Sequence, residues 1–195
     1  MEARVAVVAG DGIGIEVMPE ALRVLAEIQS RCGHTFTYEE ALVGGCAIDA
    51  HGKALPDEAL ALFDDVGVVL FGACGGPKWD HVPADERPER ALATIRKEFD
   101  LFVNLRPVRA RKSLAPVLPF KERIIGDGLD FVVVRELAGG IYYGEPHGIE
   151  EGPHGRRGYN TMTYSEREIE RVLRVAYELA RGRRGHVTSV DKANM

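Results

Sequence analysis

The sequence predicts an α/β fold, an open parallel sheet with helices on both faces, and three observations predict it. Short runs that are almost wholly apolar, such as 4–9 and 66–71, alternate with stretches of helical spacing. Strands buried on both faces read in this unbroken way, because helices cover each side of a parallel sheet. Two of the runs also end in glycine-rich turns, at 10–14 and 72–76, where the carboxyl end of a strand hands over to a loop.

The elements follow in chain order. Arg4 to Ala9 is a strand that enters the turn Gly10-Asp11-Gly12-Ile13-Gly14. A helix begins near Glu16, with Val17, Ala21, Val24, Leu25 and Ile28 at helical spacing, and Cys32-Gly33 ends it. Thr35 to Leu42 is a second strand, and Pro56 to Phe63 a short helix with proline in its first turn. Val66 to Phe71 is a third buried strand. The segment 75–89 is a loop rich in glycine, proline and charge, and Pro88 to Glu98 returns to helix. Leu101 to Arg106 and Asp130 to Arg135 are strands, and Gly139-Gly140 breaks the chain before Ile141. The stretch 150–158 reads as a polar mobile arm or turn, and Thr161 to Tyr164 as a short strand. Ser165 to Glu168 is a capping box. The helix it opens carries Ile169, Val172, Leu173, Ala176 and Leu179 or Ala180 as one apolar stripe, and ends at Gly182 among arginines. His186 to Val190 is a last strand. A βα pattern calls for a helix after it, so the stop at Met195 reads as a chain cut in mid-fold.

Composition bounds the function classes. A 195-residue chain with 45% hydrophobic and 28% charged residues is long enough for one domain or two small ones. A net charge of -5 gives no general attraction to nucleic acid or to an anionic membrane. Three cysteines, at 32, 46 and 74, with no CxxC spacing argue against a disulfide framework or a structural zinc site. The longest apolar run, 66–76, is too short to span a bilayer, and the first strand starts almost at Met1. A reducing cytoplasmic location is expected.

Chemistry concentrates in four places. Arg96, Arg106 and Arg135 each lie beside an apolar, element-like run, and Tyr142 follows the third. A guanidinium pairs with carboxylates through two parallel hydrogen bonds, so three such forks suggest a substrate with more than one carboxylate. The tyrosine suggests a proton transfer. The turn 10–14 suits a loop whose amides face an anion or cofactor, and equally a tight turn needing glycine. The third glycine of a Rossmann fingerprint is absent, since Ile15 stands in its place. The loop from Gly75 carries the only tryptophan, Trp79, between Lys78 and Asp80. Lys192 follows the last apolar run, a place where desolvation lowers a lysine pKa toward base chemistry.

Taken together, VAVVAGDGIGIEV, VGGCAID, VVLFGACGGPKWD, RPER, IRKEFDLFVNLRP, VVVRELAGGIYYGEP, YNTMTYS and VTSVDKANM run the length of the chain. In them the chain resembles the β-decarboxylating dehydrogenases, the family of isocitrate and 3-isopropylmalate dehydrogenases. The resemblance implies the family's open sheet with flanking helices, not a true Rossmann fold, with its C-terminal part absent. It implies that residues 1–99 are the N-terminal part of a first domain on the cofactor and substrate side. Residues 100–195 are then an incomplete second, dimer-forming domain.

The resemblance also implies roles. Arg96, Arg106 and Arg135 hold the malate carboxylates. Tyr142 gives a proton to the enolate, and Lys192, reaching in from the partner subunit, assists removal of the hydroxyl proton. Asn194 lies on the same edge. The run Gly76-Pro77-Lys78-Trp79-Asp80-His81-Val82-Pro83-Ala84-Asp85-Glu86-Arg87-Pro88-Glu89 lies along NAD. The other cofactor implied is Mg2+ or Mn2+, with aspartate ligands beyond Met195 and none in this chain. Where isocitrate enzymes place a serine and an asparagine, this chain has Leu92 and Ala93. An apolar wall there suits an isopropyl group and penalises an unpaired carboxylate. The expected reaction is NAD-dependent oxidative decarboxylation of 3-isopropylmalate in leucine biosynthesis, by a homodimer with shared sites. A relative acting on homoisocitrate, tartrate or isocitrate, or a truncated substrate-binding subunit, is the alternative.

Overall fold

A computed structural model describes residues 1–191, which fall into two units, the first Met1–Phe99 and the second beginning at Asp100. The first unit runs β1 (Glu2–Gly10), α1 (Gly14–Cys32), β2 (Thr35–Glu40), α2 (Gly45–His51), α3 (Asp57–Val66), β3 (Val69–Ala73) and α4 (Pro88–Glu98). Its three strands are parallel in the order β2-β1-β3. In β1, Ala6 and Val8 are fully buried in a core with Val43, Ala59 and Phe63 of the α3 side and Ala91 and Ile95 of α4. Val5 and Val7 alternate to the opposite face and are also buried, and α1 packs against β1 and β3. The expected double cover is therefore complete for the central strand.

The flanking strands differ from expectation. Val66 is the last residue of α3, so β3 begins at Val69, and every residue of it is only half-buried. It is an edge strand, bonded to β1 alone among the described residues. In α1 the predicted stripe divides. Met18 is buried against the sheet, while Val17, Val24 and Ile28 are exposed. The sequence reading missed α2, whose seven residues are too few to show a period.

The second unit contains β4 (Val103–Arg111), α5 (Glu122–Ile125), β5 (Gly128–Glu136), β6 (Gly148–Gly152), β7 (Gly155–Tyr159) and α6 (Glu166–Arg181). Here the pairing is antiparallel. The strands β4 and β5 match along their whole length, from Val103 opposite Glu136 to Arg111 opposite Gly128. The expected arm at 150–158 is a hairpin, with Gly152 opposite Gly155. Residues 161–164 and 186–190 form no strand, because neither segment finds a ladder to join among the described residues. The helix α6 begins with the expected capping box. Ser165 accepts from the Glu168 amide, and the Glu168 carboxylate accepts from the Ser165 amide and hydroxyl. Those bonds hold Glu168 below the usual carboxylate range.

Candidate active site

The first unit gathers its functional residues at the carboxyl ends of β1 and β3. These strands are neighbours, with Gly10 opposite Ala73, and the chain leaves β1 on opposite sides toward β2 and β3. That is a topological switch point, where ligands bind in open α/β sheets. The turn after β1 and the loop after β3 both stand there. Asp11 ties them together. It is 2% exposed, its amide donates to the Ala73 carbonyl at 2.8 Å, and its carboxylate accepts from three amides. Two belong to the start of α2, Gly45 at 2.7 Å and Cys46 at 2.7 Å, and the third is Gly75 at 2.8 Å.

This arrangement gives the glycine turn an architectural role. The Asp11 carboxylate spends its lone pairs on backbone amides, so the turn is a clasp as well as a bend. Sequence reasoning assigned Asp11 no role of its own. The signal was non-local, since its acceptor role involves residues 34 and 64 positions away.

The loop beyond Gly75 is held from the same helix. Asp49 of α2 accepts from Lys78 Nζ at 2.6 Å and from the Trp79 indole at 3.2 Å, and Lys78 lies 5.1 Å from the Trp79 ring centroid. The hydrogen bond from Lys78, with that of Trp79 and the lysine charge, keeps Asp49 below the usual carboxylate range. The indole covers Gly45 so closely that a Cβ there would lie 2.3 Å from ring atoms. Further along, Arg87 donates to the carbonyls of Val82 and Asp80, and Cys74 Sγ reaches the Pro88 carbonyl at 2.9 Å. Burial, with the charges of Asp11 and Glu89, pushes the Cys74 thiol up to about 12.

On α4, Leu92 and Arg96 are four residues apart and share one face, half-buried, next to the fully packed stripe of Ala91 and Ile95. Glu89 continues the same face one turn earlier and packs over Gly75, where a Cβ would meet its carboxylate at 2.1 Å. The six residues from Asp80 to Asp85 are mostly exposed and run through turns rather than a helix.

The second unit brings together Arg106, Arg135 and Tyr142. On β4, Asn104 and Arg106 point to one face, and Arg135 of β5 lies opposite Asn104. The two arginines are thus diagonal neighbours across the ribbon, at a spacing of roughly 7–8 Å that long side chains bridge easily. Arg106 Nε donates to Asn104 Oδ1 at 2.7 Å, and Arg135 Nη2 donates to the Tyr142 hydroxyl. The Arg135 guanidinium lies 5.4 Å from the Tyr142 ring centroid. Sequence reasoning missed Asn104, which strand alternation on either side of Leu105 could have placed beside Arg106.

Tyr142 is presented by a tight turn, Gly140–Tyr142, and stays 56% exposed. Gly140 has φ +66, and a Cβ there would lie 2.1 Å from the Tyr164 hydroxyl, so only glycine fits. Its amide donates to the Thr163 carbonyl at 3.0 Å, and Glu136 accepts from the amides of Ala138 and Gly139. The tyrosine therefore projects from a pinned loop. Lys192 and Asn194 lie outside the described residues. Among the described residues no three His, Cys, Asp or Glu side chains gather so as to hold a metal ion, and no helix is long and apolar enough to cross a membrane.

The chain is thus an α/β protein with loops at a switch point in one unit and paired arginines beside a tyrosine in the other. The comparisons narrow that class. The profile of the isocitrate/isopropylmalate dehydrogenase family matches residues 4–195, and the chain belongs to that family. It is 50% identical over 193 residues to a 3-isopropylmalate dehydrogenase of Desulfotalea psychrophila, covering 98% of this chain and 54% of the relative. It is 46% identical to a 3-isopropylmalate dehydrogenase of Bacillus subtilis, covering 100% of this chain and 53% of the relative. The chain thus spans about half the length of the curated relatives it matches. Among solved structures it is similar to a β-decarboxylating dehydrogenase of Thermococcus kodakarensis, with TM-score 0.68 and 31% identity, covering 98% of this chain and 49% of that one. An isocitrate dehydrogenase of Methylococcus capsulatus has TM-score 0.69 at 19% identity, covering 92% of this chain and 48% of that one, and shares the fold.

Proposed function

We propose that this chain belongs to an NAD-dependent enzyme that oxidises and decarboxylates 3-isopropylmalate to 4-methyl-2-oxopentanoate, a step of leucine biosynthesis. The observation that carries the reading is the open ribbon face bearing Arg106, Asn104 and Arg135, with the Tyr142 hydroxyl hydrogen-bonded to Arg135. Two diagonal guanidinium groups suit a malate, whose carboxylates stand on adjacent carbons. Relatives of about 50% identity are named for this substrate.

In this reading Arg96, Arg106 and Arg135 bind the carboxylates, and Leu92, four residues before Arg96 on α4, faces the isopropyl branch. NAD, when bound, would supply the acceptor for the hydride of the hydroxyl-bearing carbon. Lys192 of the partner subunit takes the hydroxyl proton, and loss of the β-carboxylate as CO2 leaves an enolate. Tyr142 then donates its proton to the enolate carbon. The run Gly76 to Glu89 faces the dinucleotide, and its clasp at the switch point supports that assignment. A divalent cation finds no fitting ligand set among the described residues, and its aspartates belong to sequence outside this chain. The enzyme is a cytoplasmic homodimer.

The test is turnover by the protein at its full genomic length, followed as NADH formation with 3-isopropylmalate, isocitrate, homoisocitrate and tartrate. Isopropylmalate is expected to give the highest kcat/KM, and preference for any other acid overturns the substrate. Tyr142→Phe is expected to lower kcat about 100-fold or more while leaving KM within a few fold. Equal turnover by wild type and variant removes Tyr142 from the chemistry.

A further inference from the structure

We infer that Asp11 is a positioning residue for the cofactor loop, acting through Gly75 and α2. This rests on the reading that Gly76 to Glu89 faces the dinucleotide.

Asp11 is the one polar residue among the fully buried side chains of the described chain, and all three of its carboxylate partners are backbone amides. Backbone amides cannot turn away as side chains can, so the carboxylate fixes the main chain itself at three points. Two points lie at the start of α2 and one at the first residue of the loop. The helix so fixed presents Asp49, which holds Lys78 and Trp79. The loop is therefore secured twice from one buried carboxylate: directly at Gly75, and one helix away at Trp79. Removing the carboxylate leaves three donors unpaired, the buried Gly45 amide and the half-buried Cys46 and Gly75 amides, which costs far more than losing an exposed contact.

The site also has no space for a larger group. A Cβ on Gly44 would lie 2.5 Å from Asp11 Oδ2 and 2.8 Å from Cys74 Sγ, and Gly75 has φ +97 beneath the Glu89 carboxylate. Asp11 thus takes up the amides that an anionic ligand at the switch point would otherwise seek. The dinucleotide is left to the loop beyond Gly75.

The test uses the full-length protein carrying Asp11→Asn, which keeps the volume but turns an NH2 toward amide donors. Hydrogen exchange of the peptides over 43–49 and 72–80 is expected to speed up at least about tenfold. NADH titrated calorimetrically is expected to bind about tenfold more weakly, with kcat and KM for the hydroxy acid within about threefold. Asp11→Ala with tens of millimolar formate is expected to recover protection in those peptides. Unchanged exchange and unchanged NADH affinity overturn the inference. So does a loss confined to kcat or to the yield of folded protein, which is what a merely structural role gives. Should Asp11→Asn not accumulate, exchange in the unaltered protein decides: the Gly45, Cys46 and Gly75 amides must open as one group, and a fast Gly75 overturns the clasp. A wild-type protein that binds no NADH refutes the proposed function and the cofactor half of this inference. The exchange results then judge the clasp alone.

Discussion

Asp130 sits among three arginines. Arg183 donates to its carboxylate at 2.7 Å, Arg109 stands 3.8 Å away across the ribbon, and Arg184 donates to its carbonyl. The hydrogen bond from Arg183 chiefly holds this carboxyl below its ordinary range, with the three positive charges adding to it against some desolvation. A depressed folded pKa means stability that is present above the unfolded value and lost as pH falls through the folded one. Asp130→Asn is thus expected to lower the melting temperature at neutral pH, with the gap to wild type closing below about pH 3. A gap that is constant with pH refutes the ion pair. The cysteines give a second expectation at this scale. Cys32 is exposed, whereas burial pushes the thiols of both Cys46 and Cys74 up. Iodoacetamide should label Cys32 first and Cys74 last, as read by peptide mass. Arg171 is a less comfortable residue. It pairs with Asp100 at 2.6 Å and stacks 4.4 Å from the Phe102 centroid, yet its Nε lacks a partner, and Asp100 takes φ 45.

At the scale of elements, legibility followed how local each cause is. The capping box of α6 was readable because Ser165 and Glu168 satisfy each other within one turn. Ser165→Ala should therefore destabilise the second unit by about 1 kcal/mol in urea titration, while the same change at Ser30, exposed in the last turn of α1, should leave the first unit nearly unaltered. The helix α2 was unreadable because its N-terminus is satisfied by Asp11, which is far away in sequence. The strand expected at 186–190 failed for the opposite reason. Apolar residues there match a strand, but a strand exists only through its neighbour, and Val190 is 95% exposed. The single stripe expected on α6 proved to be two. Val172, Ala176 and Ala180 turn inward, whereas Ile169, Leu173 and Tyr177 are exposed. The site divided in the same way. The arginines were named from their type and their place beside apolar runs, whereas Asn104 and Asp49 emerged only from register and packing. Gly140→Ala is expected to displace the Tyr142 turn, because a methyl group overlaps Tyr164. Faster hydrogen exchange over 138–144 checks it, and unchanged exchange contradicts it.

For the whole molecule, each unit leaves large apolar side chains exposed: Val17, Val24 and Ile28 of α1 in the first, and Phe131 and Val133 of β5 with Ile169, Leu173 and Tyr177 of α6 in the second. The 195 residues expressed by themselves should self-associate and bind a hydrophobic dye, judged by sedimentation at micromolar concentration. A monodisperse monomer that melts cooperatively would contradict this.

The two pairing schemes have a consequence for the order in which the molecule takes shape. In the first unit β1 cannot complete its sheet until Val69 arrives to meet Ala6, so the earliest residues made must wait for a distant partner. In the second, Gly152 closes on Gly155 at once, and β5 returns along β4 after one short excursion. Hairpins of that kind form in about 1–10 μs, while long-range parallel pairing must first close a large loop. A ribosome working from the amino terminus therefore releases the slower unit before the faster one. The arginine ribbon is expected to acquire protection in pulse-labelling before the parallel sheet that precedes it in the chain.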